Sequence, residues 1–144
     1  MPAEATILWA EDDENDVLLF RRAFEKASLP HRLIDVGDGQ EAVDYLAGEP
    51  PHDDRTRFPL PDLLLLDLKM PRLGGFEVLA WIQERPEFKG LPAVVLSSSN
   101  QERDIQRARS LGASDYFVKP CGPAALVELL LGLDARWLRR GGTC

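Results

Sequence analysis

Four consecutive leucines, Leu63 to Leu66, run without polar alternation and stop at Asp67. A strand that carries apolar side chains on both faces must be covered on both, which is the pattern of a parallel sheet sandwiched between helices. Other segments supply the rest of such a sheet. Thr6 to Ala10 is short, apolar and ends at Glu11, Asp12, Asp13 and Glu14; His31 to Val36 is rich in Leu, Ile and Val and ends at Gly37. Ala93 to Leu96 runs into Ser97, Ser98 and Ser99, and Tyr116 to Val118 stops at Lys119-Pro120. Each reads as a strand whose last residue meets a polar one.

Helical periodicity fills the intervals. Val17, Phe20, Phe24 and Ala27 recur on one face before Pro30, which is expected to close that helix. Asp38 and Glu41 have capping-box spacing ahead of Ala42, Tyr45 and Leu46, and Gly48 is placed to end the second helix. Gly74 and Gly75 precede Val78, Leu79 and Ile82, with Pro86 as the stop. Ser99 and Glu102 repeat the capping-box spacing before Ile105, Ala108 and Leu111, a helix that ends near Gly112. Leu126, Leu129, Leu130 and Leu133 make the last apolar stripe, which Trp137 extends. Residues 49–61 hold Pro50, Pro51, Pro59 and Pro61 and form the one long loop. Five alternations of strand and helix predict an α/β fold with right-handed crossovers and helices on both faces of a parallel sheet.

A chain of 144 residues, 44% of them hydrophobic, supports one ordinary domain. Its formal charge of -7 disfavours phosphate backbones and anionic lipid surfaces, so neither a nucleic-acid nor a membrane partner is expected. Cys121 and Cys144 read as reduced thiols, and the first residues carry no signal-peptide pattern; together they point to the cytoplasm. His31 and His52 stand isolated in the sequence and are expected at the surface.

The polar residues that interrupt the strands converge. In a parallel sheet the carboxyl ends share one rim, where ligands bind, and this rim collects Glu11, Asp12, Asp13, Asp67, Ser97 and Lys119. Crowded carboxylates repel, and a hard cation with oxygen ligands relieves them; Mg²⁺ suits a site that also handles phosphate. Asp67 is then placed to attack a phosphoryl group, Lys119 to pair with its oxygens, and Ser97 to donate a hydroxyl once the group has arrived. Taken alone, the acidic run reads equally as a solvated helix start, the three serines as a polar loop with Ser99 as helix cap, and Tyr116 as a packing residue.

The blocks Ile7 to Asp13 (ILWAEDD), Leu66 to Pro71 (LDLKMP), Gly74-Gly75 and Val118-Lys119-Pro120 resemble the signature blocks of response-regulator receiver domains, and the likeness spans residues 5–131. The resemblance implies a flavodoxin-like, doubly wound (βα)5 fold with strand order 2-1-3-4-5. It also implies phosphoryl transfer from a sensor histidine kinase to Asp67. The metal, Mg²⁺ or Mn²⁺, would lie among Glu11, Asp12, Asp67 and the backbone carbonyl of Lys69, with Asp12 as the direct ligand. Ser97 and Tyr116 take the places of the family's hydroxyl and aromatic switch residues, and the output surface falls between about Asn100 and Leu133. The prolines of residues 49–61 and the extension at 132–144, expected to be helical and then disordered, resemble small regulators paired with phytochrome-type kinases. Those relatives are often dimeric, which an exposed Trp137 with Leu138 would explain; a helix end folded back onto its own domain is the alternative.

Three rival readings share parts of this pattern. An Asp-nucleophile phosphatase of the haloacid-dehalogenase type needs a second acid two residues after the nucleophile, where this chain has Lys69. A flavodoxin-like cofactor binder needs a phosphate loop where the acids stand. A degenerate receiver that acts only as a binding module would lack one of the site residues, and none is missing. The expected role is therefore a phosphoacceptor that signals to a downstream protein and catalyses no reaction beyond its own phosphorylation and dephosphorylation.

Overall fold

The computed structural model describes residues 4–120 and 122–138. Cys121 and Cys144, and the disordered end expected of the 132–144 extension, lie outside the described residues. Strands β1 (Thr6–Ala10), β2 (Arg32–Val36), β3 (Leu63–Leu66), β4 (Ala93–Ser97) and β5 (Asp115–Val118) alternate with helices α1 (Glu14–Lys26), α2 (Gly39–Ala47), α3 (Gly75–Gln83), α4 (Glu102–Ser110) and α5 (Pro123–Leu133). Every strand pairing is parallel and the order is β2-β1-β3-β4-β5, the flavodoxin-like arrangement expected.

The leucine run explains the layering. Successive strand residues point to opposite faces, so Leu64 and Leu66 join Leu8, Ala10 and Val95 under Ala42, Val78, Leu79 and Ala108 of α2, α3 and α4. Leu63 and Leu65 join Ile7, Trp9, Val94 and Leu96 under Phe20, Phe24, Leu130 and Leu133 of α1 and α5. All four leucines are fully buried, and each contributes about 2 kcal/mol by leaving water. Charged substitutions here would abolish the sheet before they touched any function.

Helix ends depart from expectation in instructive ways. α1 stops at Lys26 and the chain reverses through Ser28 at φ 55, so Pro30 lies beyond the stop. Asp38 accepts from the Glu41 N–H as expected, but the Glu41 carboxylate reaches one residue further back, to the Gly37 N–H. α4 begins at Glu102 behind Gln101. Ser99 is therefore not its cap: its hydroxyl donates to Asp104 and accepts from the Gln101 N–H, which ties down the loop before the helix.

Both histidines are interior, contrary to expectation. His52 is buried between Tyr45 and Phe58, with ring centroids 5.1 and 5.0 Å away. Arg55 fastens the same loop by donating to the carbonyls of Tyr45, Leu46 and Phe58. His31 accepts from the Ala5 N–H through Nδ1, which leaves the proton on Nε2, 2.6 Å from Asp134. That contact anchors a π-helical turn, Asp134–Leu138, that continues α5. Leu138 is buried and Trp137 packs against the α1–α5 core, so the exposed apolar end considered from the sequence is instead folded onto its own domain.

Candidate functional site

The hydrogen-bonding register brings the carboxyl ends of four strands to one edge. Ala10 ends β1 opposite Leu66, and the next residue, Asp67, donates its N–H to the Ala10 carbonyl. Leu66 pairs with Val95, two residues before Ser97, and Ser97 in turn pairs with Val118, the residue before Lys119. The Lys119 N–H closes this edge on the Ser97 carbonyl at 2.8 Å.

Asp67 is only 7% exposed. Its Oδ1 accepts from the Leu68 N–H at 2.7 Å, and Oδ2 stands 3.3 Å from Lys119 Nζ. Gly75, the first residue of α3, lies so close behind that a Cβ there would come within 2.3 Å of the Asp67 carbonyl oxygen. This is the reason for the second glycine of the pair.

The acidic run divides its labour. Glu11 turns inward, buried, with Oε1 at 2.8 Å from Lys119 Nζ and Oε2 accepting from the Asp13 N–H. Asp12 is exposed, and one oxygen each from Glu11, Asp12 and Asp67 lie within 4.8 Å of one another. Asp13 accepts from the N–H groups of Asn15 and Asp16 and caps α1. The helix-start reading is thus right for Asp13, while Glu11 and Asp12 belong to the cluster. Three hard oxygens at this separation fit a Mg²⁺ or Mn²⁺ ion by donor chemistry.

Lys119 is the hub. Its ammonium also donates to Asp16 Oδ2 at 2.8 Å, a residue of the first turn of α1 that the sequence reading did not single out. No local signal marked it: Asp16 lies in the first turn of α1, where an acid reads as part of a solvated polar surface. Burial works against the charge on Lys119, but the hydrogen bonds to Asp16 and Glu11 outweigh it and hold the ammonium above its ordinary value. Burial pushes the Glu11 carboxyl up to about 7, opposed by its bond from Lys119 and reinforced by the nearby Asp67 charge.

Ser97 ends β4 fully inside, and its Oγ accepts from the Ser99 N–H at 3.2 Å. Tyr116 is buried with its hydroxyl donating to the Ser99 carbonyl at 2.8 Å. Two bonds through Ser99 therefore connect Ser97 to Tyr116. Lys69, two residues past Asp67, is exposed.

Residues 7–131 match the response regulator receiver domain family. The response regulator Rcp1 of Synechocystis sp. is 33% identical over 132 residues, covering 92% of this chain and 88% of Rcp1. The Mn²⁺-bound form of Rcp1 superposes with a TM-score of 0.82 over 94% of this chain and 96% of that one, at 32% identity. The phosphorylated cyanobacterial phytochrome response regulator RcpA gives a TM-score of 0.85 at 36% identity, covering 94% of this chain and 95% of RcpA. RPA3017, a response regulator in red light signalling of R. palustris, gives 0.88 at 36% identity, covering 96% and 94%.

Proposed function

The chain belongs to the response-regulator receiver family, and on that footing we propose that it takes a phosphoryl group from a sensor histidine kinase onto Asp67, with Mg²⁺ or Mn²⁺ required. The observation that carries this reading is a single one. A nearly buried carboxylate ends the central strand with an ammonium 3.3 Å from one oxygen and two further carboxylates within 4.8 Å.

In the transfer, an Asp67 oxygen attacks phosphorus in line. The new phosphorus–oxygen bond forms as the phosphorus–nitrogen bond to the kinase histidine breaks, and the electron pair stays on the imidazole, which takes up a proton. Lys119 donates to one phosphoryl oxygen and the Ser97 hydroxyl to another. Asp12, Asp67 and the Lys69 carbonyl, with Glu11 beside them, would hold the metal ion, which would supply positive charge opposite the transferring oxygens. Ser97 can make its bond only after transfer, so phosphorylation favours one arrangement of the β4–α4 loop over another. The bonds from Ser97 to Ser99 and from Ser99 to Tyr116 support a readout at the surface of α4, β5 and α5. Val118 and Leu131 on that surface are 45% and 41% exposed, which suits a downstream protein or a second copy of this chain.

The likeness to RcpA, a phytochrome response regulator, and to RPA3017, a response regulator in red light signalling, supports a phytochrome-type kinase as the donor. The test is incubation with acetyl phosphate. Wild type with Mg²⁺ should gain the mass of one phosphoryl group, and Asp67→Asn, or wild type in EDTA, should not; equal labelling of Asp67→Asn would refute the assignment.

A further inference from the structure

We propose that Asp16 is a positioning residue for phosphoryl transfer, which aims the Lys119 ammonium at the oxygen it must meet. The proposal rests on Asp67 being the phosphoacceptor and adds a residue to its machinery.

An ammonium has three protons and no fixed fork of its own, so its acceptors set its direction. Lys119 Nζ has three acceptors: Glu11 Oε1 at 2.8 Å, Asp16 Oδ2 at 2.8 Å and Asp67 Oδ2 at 3.3 Å. The two short bonds come from different elements, the turn after β1 and the first turn of α1, and they hold the nitrogen from two sides. The long third contact points at the acceptor carboxylate, where the transferred oxygens arrive. With Glu11 alone, the ammonium keeps one anchor on a flexible four-carbon stem and rotates about it.

Asp16 is suited to anchoring. Its own N–H is bonded to the α1 cap Asp13 at 3.1 Å, which fixes its backbone. Its side chain is 37% exposed, so the pair adds little to stability. Its effect belongs in the rate. Asp16 is also distinct from the Glu11, Asp12 and Asp67 oxygens that gather for a cation.

The experiment compares labelling by saturating acetyl phosphate and Mg²⁺ in wild type, Asp16→Ala and Asp16→Asn. Asp16→Ala should lower the rate constant about tenfold, short of the hundredfold that an ångström of misplacement costs, while its melting temperature stays close to that of wild type. Asp16→Asn keeps an oxygen acceptor without the charge and should recover most of the loss. Glu14→Gln, which removes an exposed charge from the same helical turn, should behave as wild type. In a Lys119→Met background, Asp16→Ala should have no further effect. An Asp16→Ala rate equal to or above that of wild type, or a full effect that persists without Lys119, overturns the proposal.

A second readout separates this failure from failure of the phosphoacceptor reading. The proton–nitrogen correlation signal of the Lys119 ammonium, seen only when its protons exchange slowly, should be present in unphosphorylated wild type and lost in Asp16→Ala. If wild type takes no label, the Asp67 assignment falls, and the ammonium signal still decides whether Asp16 holds Lys119. A signal unchanged by Asp16→Ala counts against the proposal.

Discussion

Replacing Lys119 by methionine keeps the apolar stem and removes the cation that Glu11, Asp16 and Asp67 share, and its effect can be worked out from the contacts. The ammonium serves Glu11, whose side chain is 0% exposed, Asp67 at 10% and Asp16 at 37%. The exposed Asp16 pair is worth less than about 1 kcal/mol. Breaking a buried ion pair from one side costs about 3–5 kcal/mol, because the remaining charge is stranded. Glu11 can escape that cost by taking up a proton. Its carboxyl already stands near 7, above the ordinary 4.5, with Lys119 present, and loss of the ammonium moves it higher.

A folded-state value above the unfolded one means that the folded protein holds a proton the unfolded chain has released. Stability is then greatest at low pH and falls as pH rises from about 4.5 through 7 and beyond. In EDTA at about pH 8, about one unit above the wild-type Glu11 value, protonation caps the stranding cost, so Lys119→Met should lose about 1–2 kcal/mol in urea denaturation, or roughly 5 °C in melting temperature for a domain of this size. Near pH 5.5 the deficit should shrink by about half or more, since Glu11 is then protonated. A loss below about 1 kcal/mol at the higher pH, or one that does not change with pH, would refute the idea that Lys119 neutralises a buried carboxylate.

Two further outcomes follow from the same geometry. Saturating Mg²⁺ should stabilise wild type by about 2–3 kcal/mol at a hundredfold excess over its dissociation constant, and Asp12→Ala should remove most of that gain in a thermal shift titration. Gly75→Ala should lose about 2–3 kcal/mol in chemical denaturation and slow labelling of Asp67, because the new Cβ meets the Asp67 carbonyl at 2.3 Å. The better helix propensity of alanine returns only about 1 kcal/mol of this.

Those residues were legible in the sequence to different degrees, for physical reasons. Asp67 and Lys119 stood out because each interrupts an apolar run, and for Asp67 the strand is buried on both faces, so its end is the one place for a polar residue. Leu63 to Leu66 supported the layering in the same way, since period-two alternation sends alternate leucines to opposite cores. Asp16 did not stand out, because a carboxylate on an exposed helix turn looks the same whether it faces water or a lysine 103 residues away. Ser99 and Glu102 matched a cap by spacing, yet the helix starts behind Gln101, since Asp104 competes for the Ser99 hydroxyl. His31 was misplaced, and the alternatives for Trp137 stayed open, for a related reason. Their burial depends on the segment after α5 returning to Ala5 and β2, a long-range contact that local pattern does not encode.

These misreadings leave the rim itself intact, and the rim is where the chain departs from the consistency of its core. Elsewhere each element agrees with its surroundings: apolar runs are buried and the first turns of α1, α2, α3 and α4 carry acids. At the sheet edge, the carboxylates of Glu11, Asp16 and Asp67 share one ammonium, that of Asp12 gathers with those of Glu11 and Asp67, and Glu11 is held inside without exposure. Local pairing cannot make that arrangement favourable on its own, because a single cation cannot compensate four anions at these distances. It persists because Leu64, Leu65 and Leu66 pin the backbone below it, and it becomes favourable when positive charge arrives from outside. On the proposed function, that excess of negative charge is what would give a divalent ion its grip, and the ion's charge would let an anionic phosphoryl donor approach an anionic side chain.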